Sequence, residues 1–397
     1  MPDPAPLLVF SDDWGRHPSS CQHLISQLLP TRRVVWVNTI GTRPPRLDLM
    51  TVKRGFEKLR QWVGPRPYSG GFTRRPDAAD ETKTTGKPAA ISPIVLNPKM
   101  WPSFRSRLGR ALNRRLISRA VRRALEGWPP PVVVTTLPVV ADLVGQFPAA
   151  RWVYYCVDDF GVWPGLDGRT MQKLEAELVP KIDVAVAVSE TLQRHLAAFG
   201  KSSHLLTHGV DLSHWTKPLP SDTPLSLAGL AELPRPLVVF WGVIDRRMDV
   251  AFARAVCESL SEGTVLFVGP QDDPDSELFK LPRVRTLPPV PFADLPSLAD
   301  AAAVLVMPYA DLPVTRAMQP LKLKEYLATG KPTVVRSLPS TGAWADCMDI
   351  AETPGAFAAA VRERLRTGLP ESQKIARQRL EGEGWAAKAT QFAAWLG

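Results

Sequence analysis

The stretch MQPLKLKEYLATGKPTVV, Met318 to Val335, reads as a helix followed by a buried strand. Pro320 suits the first helical turn, where its missing N–H leaves nothing unsatisfied. Gly330 ends the helix and Pro332 leads into the strand. Lys322 falls in the first turn, at the positive end of the helix dipole, which is the wrong sign for helix stability. A bound anion, held also by the free N–H groups there, would compensate it. Glu325 stands three residues further on, on the same face. A carboxylate there accepts hydrogen bonds from paired hydroxyls such as those of a ribose. The alternative is a surface ion pair between Lys322 and Glu325, worth less than about 0.5 kcal/mol. In either case the stretch is one helix–strand step of an α/β domain.

The same alternation extends in both directions. Upstream lie the apolar runs LPRPLVVFWGVI, TVLFVGP and AVLVMPY, each bounded by turn residues. The first half repeats the pattern. A strand at Leu7–Phe10 precedes a helix from Pro18 to Leu29, and RVVWVNT, PVVVTT, ARWVYYCVDDF and DVAVAVS follow as strands. The Pro- and Ser-rich segment Thr216 to Pro236 reads as a linker, and DAADETKTTGKPAA, residues 77–90, as a mobile loop. The expected architecture is two α/β domains in tandem, residues 1–216 and 217–383, with ligands gathering in the cleft at the carboxyl ends of the strands.

Several function classes are excluded by what is missing. There is no GxGxxG after a strand, no GxxxxGK[ST] and no HExxH. The four cysteines are far apart and form no CxxC, so neither a zinc site nor a disulfide framework is expected, and the compartment reads as a reducing cytoplasm. No apolar run reaches the roughly 20 residues needed to span a bilayer. MPDPAPLLVFSDDW lacks a basic start and reads as a first strand, not a signal peptide.

Net charge is +10, and most of the excess lies in residues 43–123, with 20 basic against 5 acidic residues. Such asymmetry points to an anionic surface, nucleic acid or membrane. Nucleic acid is disfavoured, because no nucleic-acid module is present. Between Trp101 and Trp128, the residues Trp101, Phe104, Leu108, Leu112, Leu116 and Val121 recur near helical spacing with arginines between them. Two readings stay open. The apolar stripe packs on the first sheet, or the helix also binds anionic lipid headgroups.

The motifs resemble those of GT-B glycosyltransferases of the group around family 4. PLKLKEYLATGKPTVV resembles that group's donor helix, in which a Pro-x-Lys-x-x-Glu pattern holds a nucleotide sugar. DVAVAVSETLQRHL with HGVDLSHW, VVFWGVIDRRMDVAFARAV, and LPPVPFADLPSLADAAAVLVMPY are similar to its further motifs. The match is best over residues 150–350 and weak over 40–130. The resemblance implies two Rossmann-like domains facing a central cleft, with the last helix, about 384–397, packing back on the first domain. It also implies a UDP- or GDP-type sugar donor, a saccharide acceptor that is often lipid-linked and no other cofactor; the sequence shows no metal-ligand cluster, so no obligatory metal is expected. Lys322 would hold the diphosphate and Glu325 the ribose. The first backbone groups of the helix, at Leu321, complete this grip. Many family members carry a further glutamate, which would fall here at Ala317, with Arg316 and Gln319 as polar neighbours. The chain is in this respect closer to the bacterial exopolysaccharide glucuronosyltransferase-like branch, so retention or inversion stays open. A non-catalytic relative, or a hydrolytic or epimerising one, is the alternative.

If transfer is inverting, a base must take the acceptor proton. Asp158 and Asp159 follow a strand end, and the glucuronosyltransferase resemblance favours Asp158. The alternative is that one caps a helix and the other pairs with an arginine. Gly242 opens the turn after the first strand of the second domain, where a missing side chain lets phosphate approach. Arg246 and Arg247 follow and are read as phosphate ligands, Arg246 first; Asp249 reads as a helix cap. His208 is either a diphosphate contact or a turn residue. Asp13, Trp14, Arg16 and His23 lie in the loop that faces the acceptor in this fold.

Overall fold

The computed structural model describes residues 4–16, 18–38, 91–216 and 229–397. The loop expected at 77–90 and much of the expected linker lie outside them. The apolar runs become strands because both faces of each sheet are covered, so near-continuous Val, Leu and Ile are tolerated. In the first half these are β1 (Leu7–Ser11), β2 (Val34–Asn38), β3 (Ile94–Leu96), β4 (Val132–Thr135), β5 (Arg151–Cys156), β6 (Val184–Ala187) and β7 (His204–Leu205). They form one parallel sheet in the order β3-β2-β1-β4-β5-β6-β7. Helices α1 (Ser20–Leu28), α2 (Arg107–Ala124), α3 (Gly168–Leu178) and α4 (Glu190–Ala198) accompany it. Each starts on a capping side chain, respectively Ser19, Ser106, Asp167 and Ser189.

The second half holds β8 (Leu237–Trp241), β9 (Ile244–Asp245), β10 (Thr264–Val268), β11 (Gln271–Asp272), β12 (Val284–Leu287), β13 (Val304–Met307), β14 (Thr333–Arg336) and β15 (Asp349–Ala351). Its six-stranded parallel sheet runs β12-β10-β8-β13-β14-β15. The helices are α5 (Leu212–Thr216), α6 (Val250–Ser259), α7 (Leu295–Ala301), α8 (Pro313–Ala317), α9 (Leu321–Ala328), α10 (Pro354–Thr367), α11 (Glu371–Ala376) and α12 (Trp385–Leu396). The opening stretch is therefore α9 followed by β14. In both sheets the order reverses beside the first strand, the switch point at which such folds bind ligands. Each sheet has its own apolar core. Trp385, Ala389, Phe392 and Leu396 of α12 belong to the core of the first.

The packing reading of the segment 101–128 holds only in part. Phe104 and Val121 are buried and Leu116 is half-buried, but Leu108 and Leu112 are not. Gly109, Asn113, Ile117 and Val121 face inward, while Leu108 is 85% and Leu112 40% exposed, next to a 47% exposed Trp101. The cause is Asn113, whose side chain accepts from the Trp101 N–H at 2.6 Å and donates to the Trp101 carbonyl at 3.1 Å. Asn113 is buried, and its amide finds its partners on the backbone of the entering segment, which fixes the face of the helix that carries it inward.

Candidate functional site

The carboxyl ends of the two sheets meet. Arg247, just past β9, places its guanidinium 4.9 Å over the ring of Trp163 in the loop that follows β5. Ser189 Oγ, at the head of α4, donates to the Ala317 carbonyl at 2.7 Å.

On the second domain, Lys322 leaves the first turn of α9 and donates to the Tyr309 hydroxyl at 2.7 Å. Its ammonium lies 5.2 Å from the centre of the Phe240 ring. The lysine turns to Tyr309 instead of closing an ion pair with Glu325. Gly242 has φ 135°, and a Cβ there would stand 2.7 Å from the Lys322 Cε and Nζ. The positive φ favours glycine here, and the missing Cβ leaves the end of the Lys322 side chain its present place. The Gly242 N–H is already bonded to the Val268 carbonyl at 2.9 Å, so it is not a free donor for phosphate. Gly269 is needed in turn, since its Cβ would lie 2.0 Å from the Gly242 oxygen. Burial pushes the Glu325 carboxyl up to about 7, against the opposing pull of Lys322 and the Trp241 side chain. Leu321 opens α9 and packs its side chain on the first domain's core.

The arginine expectation changes. Arg246 is exposed and pairs with Asp273 at 3.2 Å. Arg247 is the buried neighbour, held by both oxygens of Asp245, with Nη2 to Oδ2 at 2.7 Å. Arg316 is exposed and grips Asp311 at 2.5 and 2.8 Å. Ala317 is 4% exposed and packs with the first domain's core. A glutamate at that position would carry a carboxylate into this packing at a desolvation cost. Asp249 caps α6 through the Ala251 and Phe252 N–H groups and pairs with Arg336.

On the first domain, burial pushes the Asp158 carboxyl up to about 7; Arg247 across the cleft opposes this and Asp159 adds to it. Asp159 accepts from the Gly161 N–H at 2.9 Å. The loop after β1 is organised by Asp12, which accepts from Ser11, Ser19 and Gln22. Within it Asp13 pairs with Arg16 at 3.3 Å, both exposed, and Trp14 packs edge-on against Trp36. His23 stacks on Trp385, centroids 4.7 Å apart.

His208 is buried, and burial, with Lys324 and His23 nearby, pulls it down to about 3, so it stays neutral. Lys324, 2% exposed, is bonded to the His208 carbonyl, Thr207 and Glu383. Lys388 joins Glu383 at 2.7 Å. These groups tie the outgoing chain at 207–208 to the returning chain at 383–388, directly behind α9. Sequence reading missed Lys324, Tyr309, Trp163 and Gly269. Lys324 is one more basic residue in a helix, and only burial marks it.

No protein-family model matches the chain. It is 26% identical over 181 residues to a Bacillus subtilis (strain 168) protein named as a glycosyltransferase of teichuronic acid biosynthesis, TuaH. The match covers 44% of this chain and 45% of that protein, so it spans less than half of the relative's length. Among solved structures it is similar to sucrose-phosphate synthase from Thermosynechococcus elongatus, with TM-score 0.66 and 15% identity over 99% of this chain and 98% of the other. Anabaena HepE in complex with UDP and glucose gives TM-score 0.66 and 15% identity, covering 99% of each chain. The Escherichia coli trehalose-6-phosphate structure bound with UDP-2-fluoro glucose gives 0.63 and 12%, covering 99% of each chain. With two parallel α/β sheets meeting at their carboxyl edges, and these structural neighbours, the chain has the GT-B fold.

Proposed function

We propose that the chain is a glycosyltransferase that moves a sugar from a nucleoside diphosphate sugar to a saccharide acceptor in cell-surface or exopolysaccharide synthesis. The observation that carries this reading is the opposition of two sets of groups. Arg247 of the second domain faces Asp158 of the first, whose carboxyl burial pushes up to about 7, and the second domain also carries Lys322 and Glu325 together on α9. Lys322 and the head of α9 take the diphosphate and stabilise leaving-group charge. Glu325 takes the ribose, and Asp158 removes the acceptor proton. Support comes from the resemblance to TuaH and from neighbours solved with UDP or UDP-glucose. No metal or further cofactor has a role in this scheme. A thermal-shift panel of UDP, UDP-glucose, UDP-glucuronate and GDP-mannose tests it. The cognate nucleotide, at a hundredfold excess over its Kd, stabilises by about 2.7 kcal/mol. A melting temperature unmoved by every member of the panel would overturn the reading.

We further propose that the acceptor is lipid-linked and that α2 docks the protein peripherally on the inner, anionic face of the plasma membrane. Trp101, Leu108 and Leu112 are exposed beside the exposed Arg105, Arg107, Arg115 and Arg119, the composition of an interfacial helix. Among the described residues no helix is long and apolar enough to cross a membrane. In vesicle flotation the protein is expected to float with phosphatidylglycerol vesicles at low salt and to be released as salt screens the arginines. Leu108→Asp with Leu112→Asp should weaken binding at least tenfold, since each leucine buries roughly 1.5–3 kcal/mol of apolar contact. Equal behaviour of wild type and double variant would remove the helix from the interface.

A further inference from the structure

Behind the loop that carries Asp158 lies a buried polar chain to which the reaction scheme assigns no role. Glu175 of α3 is 2% exposed. Its Oε1 accepts from the Tyr154 hydroxyl of β5 at 2.8 Å. Its Oε2 lies 2.7 Å from His195 Nε2 of α4. The other imidazole nitrogen, Nδ1, faces Asp159 Oδ2 at 4.0 Å. Asp159 closes the turn through the Gly161 N–H. The Gly161 carbonyl is pressed on the start of α3, standing 2.1 Å from where a Cβ on Gly168 would be. Asp158, Asp159 and Trp163 therefore sit on a loop held from beneath by two helices.

We propose that His195, in its doubly protonated form and paired with Glu175, is a positioning residue that fixes Asp159 and through it the loop presenting Asp158. The chemistry follows from the donor count. A doubly protonated imidazole donates to Glu175 from one nitrogen and offers an N–H toward Asp159 from the other. A neutral imidazole that keeps its proton for Glu175 presents a lone pair to the Asp159 carboxylate, and the restraint is lost. The titratable groups around the pair are Tyr154 and Cys156 of β5, Asp158 and Asp159 of the loop, and Glu175 of α3, with Arg247 facing Asp158 across the cleft. The Glu175 hydrogen bond raises the His195 pKa, burial opposes it, and the Glu175 and Asp159 charges add to the rise. The sign is that of a raised histidine: the restraint is complete at low pH and is lost as pH rises through the His195 titration. Its consequence for transfer, a decline on the alkaline side, rests on Asp158 being the base.

The test reads the loop and not the reaction. Imidazole NMR of the free protein gives the His195 titration, identified among the six histidines by the signal lost in His195→Gln. Its midpoint is expected above the ordinary value, and Glu175→Gln should weaken proton affinity by roughly tenfold or more. Hydrogen exchange of the peptide 157–168, corrected for intrinsic pH dependence, should show protection falling roughly tenfold across that titration. In His195→Gln it should be low and independent of pH. A His195 midpoint at or below the ordinary value, or wild-type protection that does not follow it, overturns the proposal. Failure of every nucleotide of the panel to bind would instead remove the catalytic role of Asp158 and leave this coupling standing.

Discussion

Asp158→Asn is expected to lower kcat by about 10²- to 10⁴-fold, the usual contribution of a positioned base, while UDP affinity stays within about twofold. The amide keeps the shape of the carboxylate and removes only its capacity to accept a proton. The environment explains why this carboxylate suits the task. Burial pushes it up to about 7, so it is poised near neutral pH, and Arg247 keeps the ionised form from becoming inaccessible. Because its pKa is raised, the working, deprotonated form is present above pH 7 and is lost as pH falls through 7. The kcat profile of the wild type should therefore have an acid limb near 7 that Asp158→Asn abolishes. Glu325, also pushed up to about 7, belongs to donor binding, so measurement at saturating donor separates the two. Undiminished turnover in Asp158→Asn would remove it as the base.

The second large effect is at Lys322. A hydrogen bond to a charged group is worth about 1.5–3 kcal/mol, so Lys322→Ala should weaken UDP binding roughly 10- to 100-fold by calorimetry. The fold should survive, because the side chain is only half-buried and its contacts are the Tyr309 hydroxyl and two aromatic faces. Arg246→Ala, by contrast, removes an exposed pair with Asp273 and should change affinity little. The pair of variants separates a diphosphate contact from a general loss of positive charge.

The fold was legible because its strands are uninterrupted apolar runs such as Leu7–Phe10 and Leu237–Trp241, and several helices begin on Ser or Asp caps, as at Ser189 and Asp249. α9 was legible for the same reason, with Pro320 before it and Gly330 after it. What the sequence concealed were choices between neighbours. Arg246 and Arg247 are adjacent, and only the tertiary placement of Asp245 and Trp163 shows which one turns inward. The leucines of α2 obey helical spacing, yet Asn113 decides the buried face through the backbone at Trp101. Glu175 and His195 lie twenty residues apart on separate helices, and no local pattern couples them. Gly242 was singled out, but the group it makes room for is Lys322, eighty residues away.

The grip of α9 on a nucleotide is the step on which the proposed transfer depends most directly. Calorimetric titration of UDP into the wild type and into Lys322→Ala decides it. Saturable binding by the wild type that is weakened at least tenfold in the variant is the predicted result. Equal affinity in the two proteins, or no binding by the wild type to UDP or to any nucleotide of the panel, would contradict it.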